Sequence, residues 1–436
     1  MMDYNKMYAE KVVSIKEAVS KIKSGDQIYL SGSNCAPIHL VSALCKRVKE
    51  LENVDIFSAL LMYPHEFLNL GFKGHINYHT FFLGPIERSM KGFGNVDTTS
   101  VHFSKAGWMA ENIVKPNVAM IETTPPDENG NMNFGPTGTG LNEIILKHAA
   151  VIIVQVNRCL PVCMGESNFV NLSDVDFICE KDHPLPQLPQ SKVTEIDKKI
   201  ASYILPQIPD GATIQIGLGG IANAVAYGLE EKKDLGIHSE MLTDSMVHLA
   251  KKGSINCSKK NYYKNKIICS FGMGNLELYQ FMDKNPLIHV APIFKVNNSA
   301  EIAKNDNFIS INTALMVDLT GQVGSEAIGF NQFSGTGGAL DFVEGAVLSK
   351  NGKSFICLAS TVKTKEGIKS TISISLPPGT AVTIPRANVQ YIVTEYGMAN
   401  LYNLSIETRV RELIKIAHPD YREELLQQAK DEKLIY

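Results

Sequence analysis

The chain repeats itself at about half its length, and an internal repeat restricts the available folds more than composition does. "SGDQIYLSGS" and "DGATIQIGLGG" align so that Gly25 matches Gly211, Ile28 matches Ile214 and Leu30 matches Ile216. Each is a turn glycine followed by alternating apolar residues, the pattern of a strand. Further on, "NVAMIETTPPDENGNM" and "NFISINTALMVDLTGQV" each give a strand and then Asp-x-x-Gly: Asp127 with Gly130, and Asp318 with Gly321. Asp-x-x-Gly alone is common turn chemistry. Two matches in the same order indicate a duplicated domain.

Pro184, Pro186 and Pro189 in "CEKDHPLPQLPQSKVTE" forbid a regular helix and predict an extended linker between the halves. The expected organisation is therefore an N-terminal domain over 1–183, a linker over 184–195 and a C-terminal domain over 196–436. "AAVIIVQV" and "KSFICLAS" are short continuous apolar runs, as in strands buried on both faces, with helical stretches between. The expected fold is α/β: two similar open domains with largely parallel sheets. Such sheets bind ligands beyond the carboxyl ends of their strands, so the loops there are where chemistry is sought.

With 436 residues, 44% hydrophobic and 20% charged, the chain has ample material for two cores. Net charge is −3 and no Lys/Arg block interleaves with aromatics, so nucleic acid is not an expected partner. The first 26 residues lack the apolar core of a signal peptide, and no stretch reaches the roughly 18 apolar residues of a membrane span. A cytoplasmic protein that binds no membrane is expected, with a homodimer or higher homo-oligomer as its assembly.

Eight cysteines spread over the whole chain fit a reducing compartment. Cys159, Cys163, Cys179 and His183 form C-x3-C-x15-C-x3-H, a loose spacing for zinc, and buried thiols are the favoured reading. No metal is expected.

"QIGLGGIANAVAYGL", residues 215–229, reads as strand, glycine turn and helix. Gly217, Gly219 and Ala222 satisfy the dinucleotide fingerprint G-x-G-x-x-A, and Glu240 falls about 20 residues on, where that fingerprint places its ribose-binding acid. An NAD-dependent dehydrogenase is one reading. A short glycine turn at a helix start also suits any anionic ligand or developing oxyanion, through its exposed backbone N–H groups.

In "GIHSEM", residues 236–241, Glu240 sits near the carboxyl end of a strand, just before a helix expected to be capped by Thr243 and closed by Gly253. Spacing alone favours a complement to the helix dipole over a reactive carboxylate. His238 reads as a core or supporting histidine. "QFSGTGGALDFVEGA", residues 332–346, puts Gly335, Gly337 and Gly338 ahead of an apolar helical run: either a plain turn or a second backbone-rich loop. "VTEYGMANL" offers Glu395 after a strand as a rival carboxylate. "GPTGTG", residues 135–140, shows no chemistry. The serine elbow G-x-S-x-G, H-E-x-x-H and the Walker loop are all missing.

Together "GLGGIANAV", "GIHSEM", "INTALMVDLTGQVGSE", "FSGTGGALDF" and "VTEYGMA" resemble the acetyl-CoA hydrolase/transferase family of CoA-transferases. "PPDENGNMNFG" and "LIKIAHPDYREEL" extend the resemblance over almost the entire chain. It implies two α/β domains with the active site in the cleft between them and a catalytic glutamate, here Glu240, in the H-S-E-M motif. It assigns backbone amides of Ile221 and Gly338 to an oxyanion hole, with Asn297 of "KVNNSA" as a polar partner and His238 and Ser239 as positioning neighbours. Gly217, Gly219, Gly220, Gly335, Gly337, Gly338, Ala339 and Asp341 are expected to meet coenzyme A, a substrate and not a resident cofactor. Ala339, Glu344 and Ala222 stand where family members commonly carry glutamine, arginine and proline.

The chemistry explains the residue type. A CoA-transferase works without ATP, so its intermediates must keep the energy of a thioester, which a serine ester would lose. A glutamate can form a mixed anhydride with the acyl group and then a glutamyl-CoA thioester. At the reference pKa of about 4.3 it would be ionised at neutral pH without a base. The resemblance thus implies CoA transfer between acetyl-CoA and an acid such as 4-hydroxybutyrate or butyrate. An acyl-CoA hydrolase using the same glutamate is the alternative within the family; a dehydrogenase and a CoA-binding module without turnover are the alternatives outside it.

Overall fold

The computed structural model describes residues 3–137 and 140–436. Gly138 and Thr139 of the glycine-rich "GPTGTG" loop lie outside the described residues. One compact unit runs to Leu188 and takes up Ile268–Val296; the other comprises Pro189–Ile267 and Asn297–Tyr436.

The first unit is built on a seven-stranded sheet of β1 (Gln27–Leu30), β2 (Val54–Ser58), β3 (Ile76–Thr80), β4 (Asp97–Thr98), β5 (Val118–Thr123), β6 (Val151–Val156) and β7 (Phe177–Glu180). Its spatial order is β4-β3-β2-β1-β5-β6-β7, with the pairs parallel. Alternate residues feed two cores. Ile28, Leu30, Val118 and Met120 pack on one face, Tyr29, Ala119 and Ile121 on the other. Burial on both faces is why these strands read as unbroken apolar runs.

The second unit holds β8 (Thr213–Ile216), β9 (Gly236–Ile237), β10 (Phe308–Thr313), β11 (Lys353–Cys357), β12 (Tyr391–Thr394) and β13 (Gly397–Asn400). The order is β9-β8-β10-β11-β12-β13, parallel except for the final hairpin. β8, β9, β10 and β11 thus repeat the connectivity of β1, β2, β5 and β6.

The duplication extends to single hydrogen bonds. Ile28 pairs with Val118 as Ile214 pairs with Ile309. Asp127 Oδ1 accepts from the amides of Asn129 and Asn131 at 2.9 and 2.8 Å, and Asp318 Oδ1 accepts from those of Thr320 and Gln322 at 2.9 Å each. The Asp127 and Asp318 carbonyls accept from Gly130 and Gly321 at 3.0 and 2.9 Å. Both Asp-x-x-Gly segments are the same turn.

The expectation of a continuous domain over 196–436 is corrected by Ile268–Val296, which belongs to the first unit. Backbone bonds hold it there: Val290 N–H donates to Met164 at 2.8 Å, Glu166 N–H to Val290 at 3.0 Å and Lys284 N–H to Val162 at 2.7 Å. Ile293 is buried beside Phe103 and Ala106. Main-chain pairing of this kind leaves no periodic trace in the sequence. The chain passes between the units at Leu188 and Pro189, inside the expected 184–195 linker.

Candidate active site

At the carboxyl end of β8 the chain turns through Gly217, Leu218 and Gly219 into helix α1 (Gly220–Tyr227). Gly219 is the N-cap residue at φ +118°, a conformation that L side chains rarely adopt, so the turn requires glycine. Gly220, Ile221 and Ala222 occupy the first turn of α1, where backbone N–H groups have no partner inside the helix. β9 runs parallel beside β8, with His238 N–H donating to the Ile214 carbonyl at 3.2 Å. Glu240 therefore emerges at the same sheet edge as the glycine turn. After it α2 (Asp244–Lys252) begins at N-cap Thr243 and ends at Gly253, as the sequence predicts. Thr243 makes no side-chain cap bond. Its hydroxyl meets that of Ser245 at 3.1 Å.

Glu240 is partly buried, and two loops distant in sequence close on it. Asn297 Nδ2 donates to Glu240 Oε2 at 2.7 Å. Asn297 is fully buried, and its Oδ1 has no hydrogen-bond partner among the described residues. An unpaired buried amide oxygen costs about 1–3 kcal/mol, the kind of local cost tolerated where geometry serves a reaction. Gly338, the N-cap of α3 (Ala339–Leu348), lies so close that a Cβ on it would collide with both Asn297 Nδ2 and Glu240 Oε2. Asp341, buried in the first turn of α3, adds a negative charge.

These surroundings correct the expectation of an ordinary, fully ionised carboxylate. Burial pushes the Glu240 carboxyl up to about 7; the Asn297 hydrogen bond pulls it down, and the charge of Asp341 adds to the rise.

Gly335 and Gly337 lead into Gly338, with Gly337 at φ +62°, and Ala339 opens α3. His238 is fully buried in an aromatic nest, 6.1 to 6.4 Å from the rings of Tyr262, Phe308 and Phe342, and its Nδ1 accepts from Asn305 Nδ2 at 3.3 Å. Ser239 is buried beside it. Glu395 is occupied elsewhere: its Oε2 accepts from Ser360 N–H at 2.9 Å and its Oε1 from Ser360 Oγ at 2.6 Å. Glu344 Oε1 accepts from Asn388 Nδ2 at 3.1 Å.

His183 Nε2 lies 2.5 Å from Glu122 Oε1, Cys163 and Cys179 are buried, and Cys159 is exposed. Among the described residues no three His, Cys, Asp or Glu side chains form a group that could hold a metal, and no helix is long and apolar enough to cross a membrane.

The duplication supplies an internal comparison. Ile28 pairs with Ile56 as Ile214 pairs with Ile237. Ile56-Phe57-Ser58-Ala59-Leu60 therefore stands where Ile237-His238-Ser239-Glu240-Met241 stands, and Ala59 takes the place of Glu240. The corresponding place in the first unit is a cavity of about 80 Å³ whose lining includes Gly32, Ser33, Ser58, Ala59 and Leu60 and, among the described residues, no carboxylate. Only the second copy carries the acid.

Comparison with known proteins bears on what such a site does. Residues 1–189 match the acetyl-CoA hydrolase/transferase N-terminal domain, and residues 274–429 match the C-terminal domain of the same family. The chain belongs to the acetyl-CoA hydrolase/transferase family. The 4-hydroxybutyrate coenzyme A transferase of Clostridium kluyveri is 38% identical over 430 residues, 98% of this chain and 99% of its own. The butyryl-CoA:acetate CoA-transferase of Anaerostipes caccae is 40% identical over 437 residues, 98% of each chain. The crystal structure of 4-hydroxybutyrate CoA-transferase from Porphyromonas gingivalis superposes with a TM-score of 0.80 at 31% identity, covering 99% of this chain and 100% of its own. Membership of this family displaces the dinucleotide reading of Gly217, Gly219 and Ala222. Glu240 lies between the two matched segments, in a stretch that the full-length relatives span.

Proposed function

We propose that the protein is a CoA-transferase that moves CoA between a short-chain acyl-CoA, acetyl-CoA first, and a carboxylic acid such as 4-hydroxybutyrate or butyrate, with Glu240 as the covalent carrier. The observation that carries this reading is the partly buried Glu240 carboxyl, bonded to Asn297 at 2.7 Å and pressed against the Gly338 backbone.

The steps balance without a resident cofactor. The ionised Glu240 attacks the acyl-CoA carbonyl and expels CoA thiolate, leaving a mixed anhydride. The thiolate attacks the glutamyl carbonyl and releases the first acid, leaving a glutamyl-CoA thioester. The acceptor carboxylate attacks that thioester, and the thiolate then takes the acceptor acyl group and frees Glu240. Each tetrahedral oxyanion needs donors. The amides of Ile221 and Gly338 are the proposed pair, with Asn297 Nδ2 steadying the carboxylate. The glycine turns at Gly217–Gly220 and Gly335–Gly338, with Ala339 and Asp341, are the proposed CoA contacts. Transfer outpaces hydrolysis as long as water is kept from the anhydride and thioester.

Incubation with acetyl-CoA alone, followed by intact-mass measurement and peptide mapping, tests this. A CoA adduct on Glu240 that hydroxylamine removes and a carboxylic acid discharges is expected. An unchanged mass, or an adduct on Glu395, overturns the assignment. Steady CoA release with no acceptor acid present identifies a hydrolase.

A further inference from the structure

The loop that brings Gly338 to Glu240 is anchored by a buried carboxylate to which neither the motifs nor the reaction assigns a part. Glu326 is 4% exposed. Its Oε2 accepts from Thr336 Oγ1 at 3.0 Å and from Gln332 Nε2 at 3.1 Å, and its Oε1 accepts from Thr383 Oγ1 at 3.3 Å. Its backbone carbonyl accepts from the amides of Phe333 and Ser334 at 2.7 and 3.2 Å. Gln332 Nε2 also donates to the Ser334 carbonyl at 2.9 Å. One residue thus grips the 332–336 segment by main chain and side chain together. It ties that segment to Thr383, whose hydroxyl in turn accepts from the Ser325 amide at 3.0 Å.

Gly338 follows Thr336 by two residues, and its position has little slack. Asn297 Nδ2 and Glu240 Oε2 fill the space that a Cβ on Gly338 would take, which leaves little room to move toward Glu240, and a move away lengthens any bond from its amide to the reacting oxygen. Hydrogen bonds from Thr336, Gln332 and Thr383 to one buried carboxyl form a network that rigidifies the loop more than separate bonds would.

We infer that Glu326 is a positioning residue for the reaction at Glu240: it fixes the 332–338 loop so that the Gly338 amide lies where the tetrahedral oxyanion forms. The inference rests on the reading of Glu240 as the CoA carrier. Glu326 is buried with both carboxyl oxygens turned to Thr336, Gln332 and Thr383, so its effect is expected on the rate of the chemical step and not on acyl-CoA binding. Misplacing a catalytic group by about 1 Å can cost on the order of a hundredfold in rate.

The test measures the rate of Glu240-CoA adduct formation, kcat, and KM for acetyl-CoA in the full-length wild type, Glu326→Gln, Thr336→Val and the double variant. Thr336→Val removes the Thr336–Glu326 bond and leaves Glu326 and its other partners in place, the milder change should Glu326→Gln fail to fold. Adduct formation slowed about tenfold to a hundredfold, with KM changed less than about threefold, is expected. The double variant is expected to be no slower than Glu326→Gln, because both changes break one connection. Adduct formation at the wild-type rate in Thr336→Val overturns the inference, as does a rise in KM that matches the fall in rate. A wild type that forms no adduct at all overturns the Glu240 reading and this inference with it.

Discussion

Asn297 donates from Nδ2 to Glu240 Oε2 at 2.7 Å, a bond to a carboxyl whose ionisation burial and Asp341 both oppose. This bond stabilises the charged form and so sets how much nucleophile exists at neutral pH. Asn297→Ala removes it. The acid limb of the kcat/KM profile is then expected to move above 7 and kcat at pH 7 to fall by roughly tenfold to a hundredfold. A profile superimposable on the wild type would show that Asn297 does not act on this ionisation.

The wild-type profile itself is a prediction. With the carboxyl at about 7 in the free protein, activity is expected to rise through that pH and level off above it. Asp341→Asn removes the charge that adds to the rise, so its acid limb is expected at lower pH than in the wild type. Measuring kcat/KM between pH 5 and 9 for both proteins checks the order of the two limbs.

Linkage gives the same raised group a signature in stability. The carboxyl binds its proton more tightly in the folded state than in the unfolded chain, where it titrates near 4.5, so folding favours the protonated form. Stability from this group is full below 4.5, falls as pH rises toward 7 and stays lost above. The span corresponds to about 3 kcal/mol. Glu240→Gln abolishes transfer but no longer has a charge to bury. It is expected to melt several degrees above the wild type at pH 8 and close to it at pH 4.5, by calorimetry at the two pH values.

What could be read from the sequence was local. Ile28 with Ile214, Asp127 with Asp318 and the glycine turn at Gly217–Gly220 are set by alternation and turn chemistry within a few residues, and each is found where the sequence places it. What gathers around Glu240 was not local. Asn297 and Gly338 arrive from loops far along the chain, and no spacing rule brings them to one carboxylate. The family resemblance supplied their names; the geometry adds that Gly338 touches Glu240 and that Asp341 acts on it by charge. His238 was ambiguous because alternation gives a face and not its contents, here Tyr262, Phe308 and Phe342. The place of Ile268–Val296 is not legible in the sequence because backbone pairing to Met164, Glu166 and Val162 leaves no pattern in its side chains. Glu326 ends "INTALMVDLTGQVGSE", yet only its bonds to Gln332 and Thr336 show what it grips.

Two glycine substitutions separate contact from backbone strain. Gly338 has φ −103°, which any residue adopts, so Gly338→Ala costs nothing in backbone conformation and acts only through its Cβ meeting Asn297 Nδ2 and Glu240 Oε2. Overpacking of this kind typically costs about 1–3 kcal/mol, and here it displaces the nucleophile itself. Gly219 is the converse: nothing lies within 4 Å of an added Cβ, but φ is +118°. Gly219→Ala therefore strains the turn, at about 1–2 kcal/mol, without touching Glu240 directly. Both variants are expected to melt below the wild type by similar amounts. Adduct formation at Glu240 is expected to fall at least a hundredfold in Gly338→Ala and clearly less in Gly219→Ala. Equal losses of adduct in the two, at equal melting temperatures, would show that the closeness of Gly338 to Glu240 has no part in the chemistry.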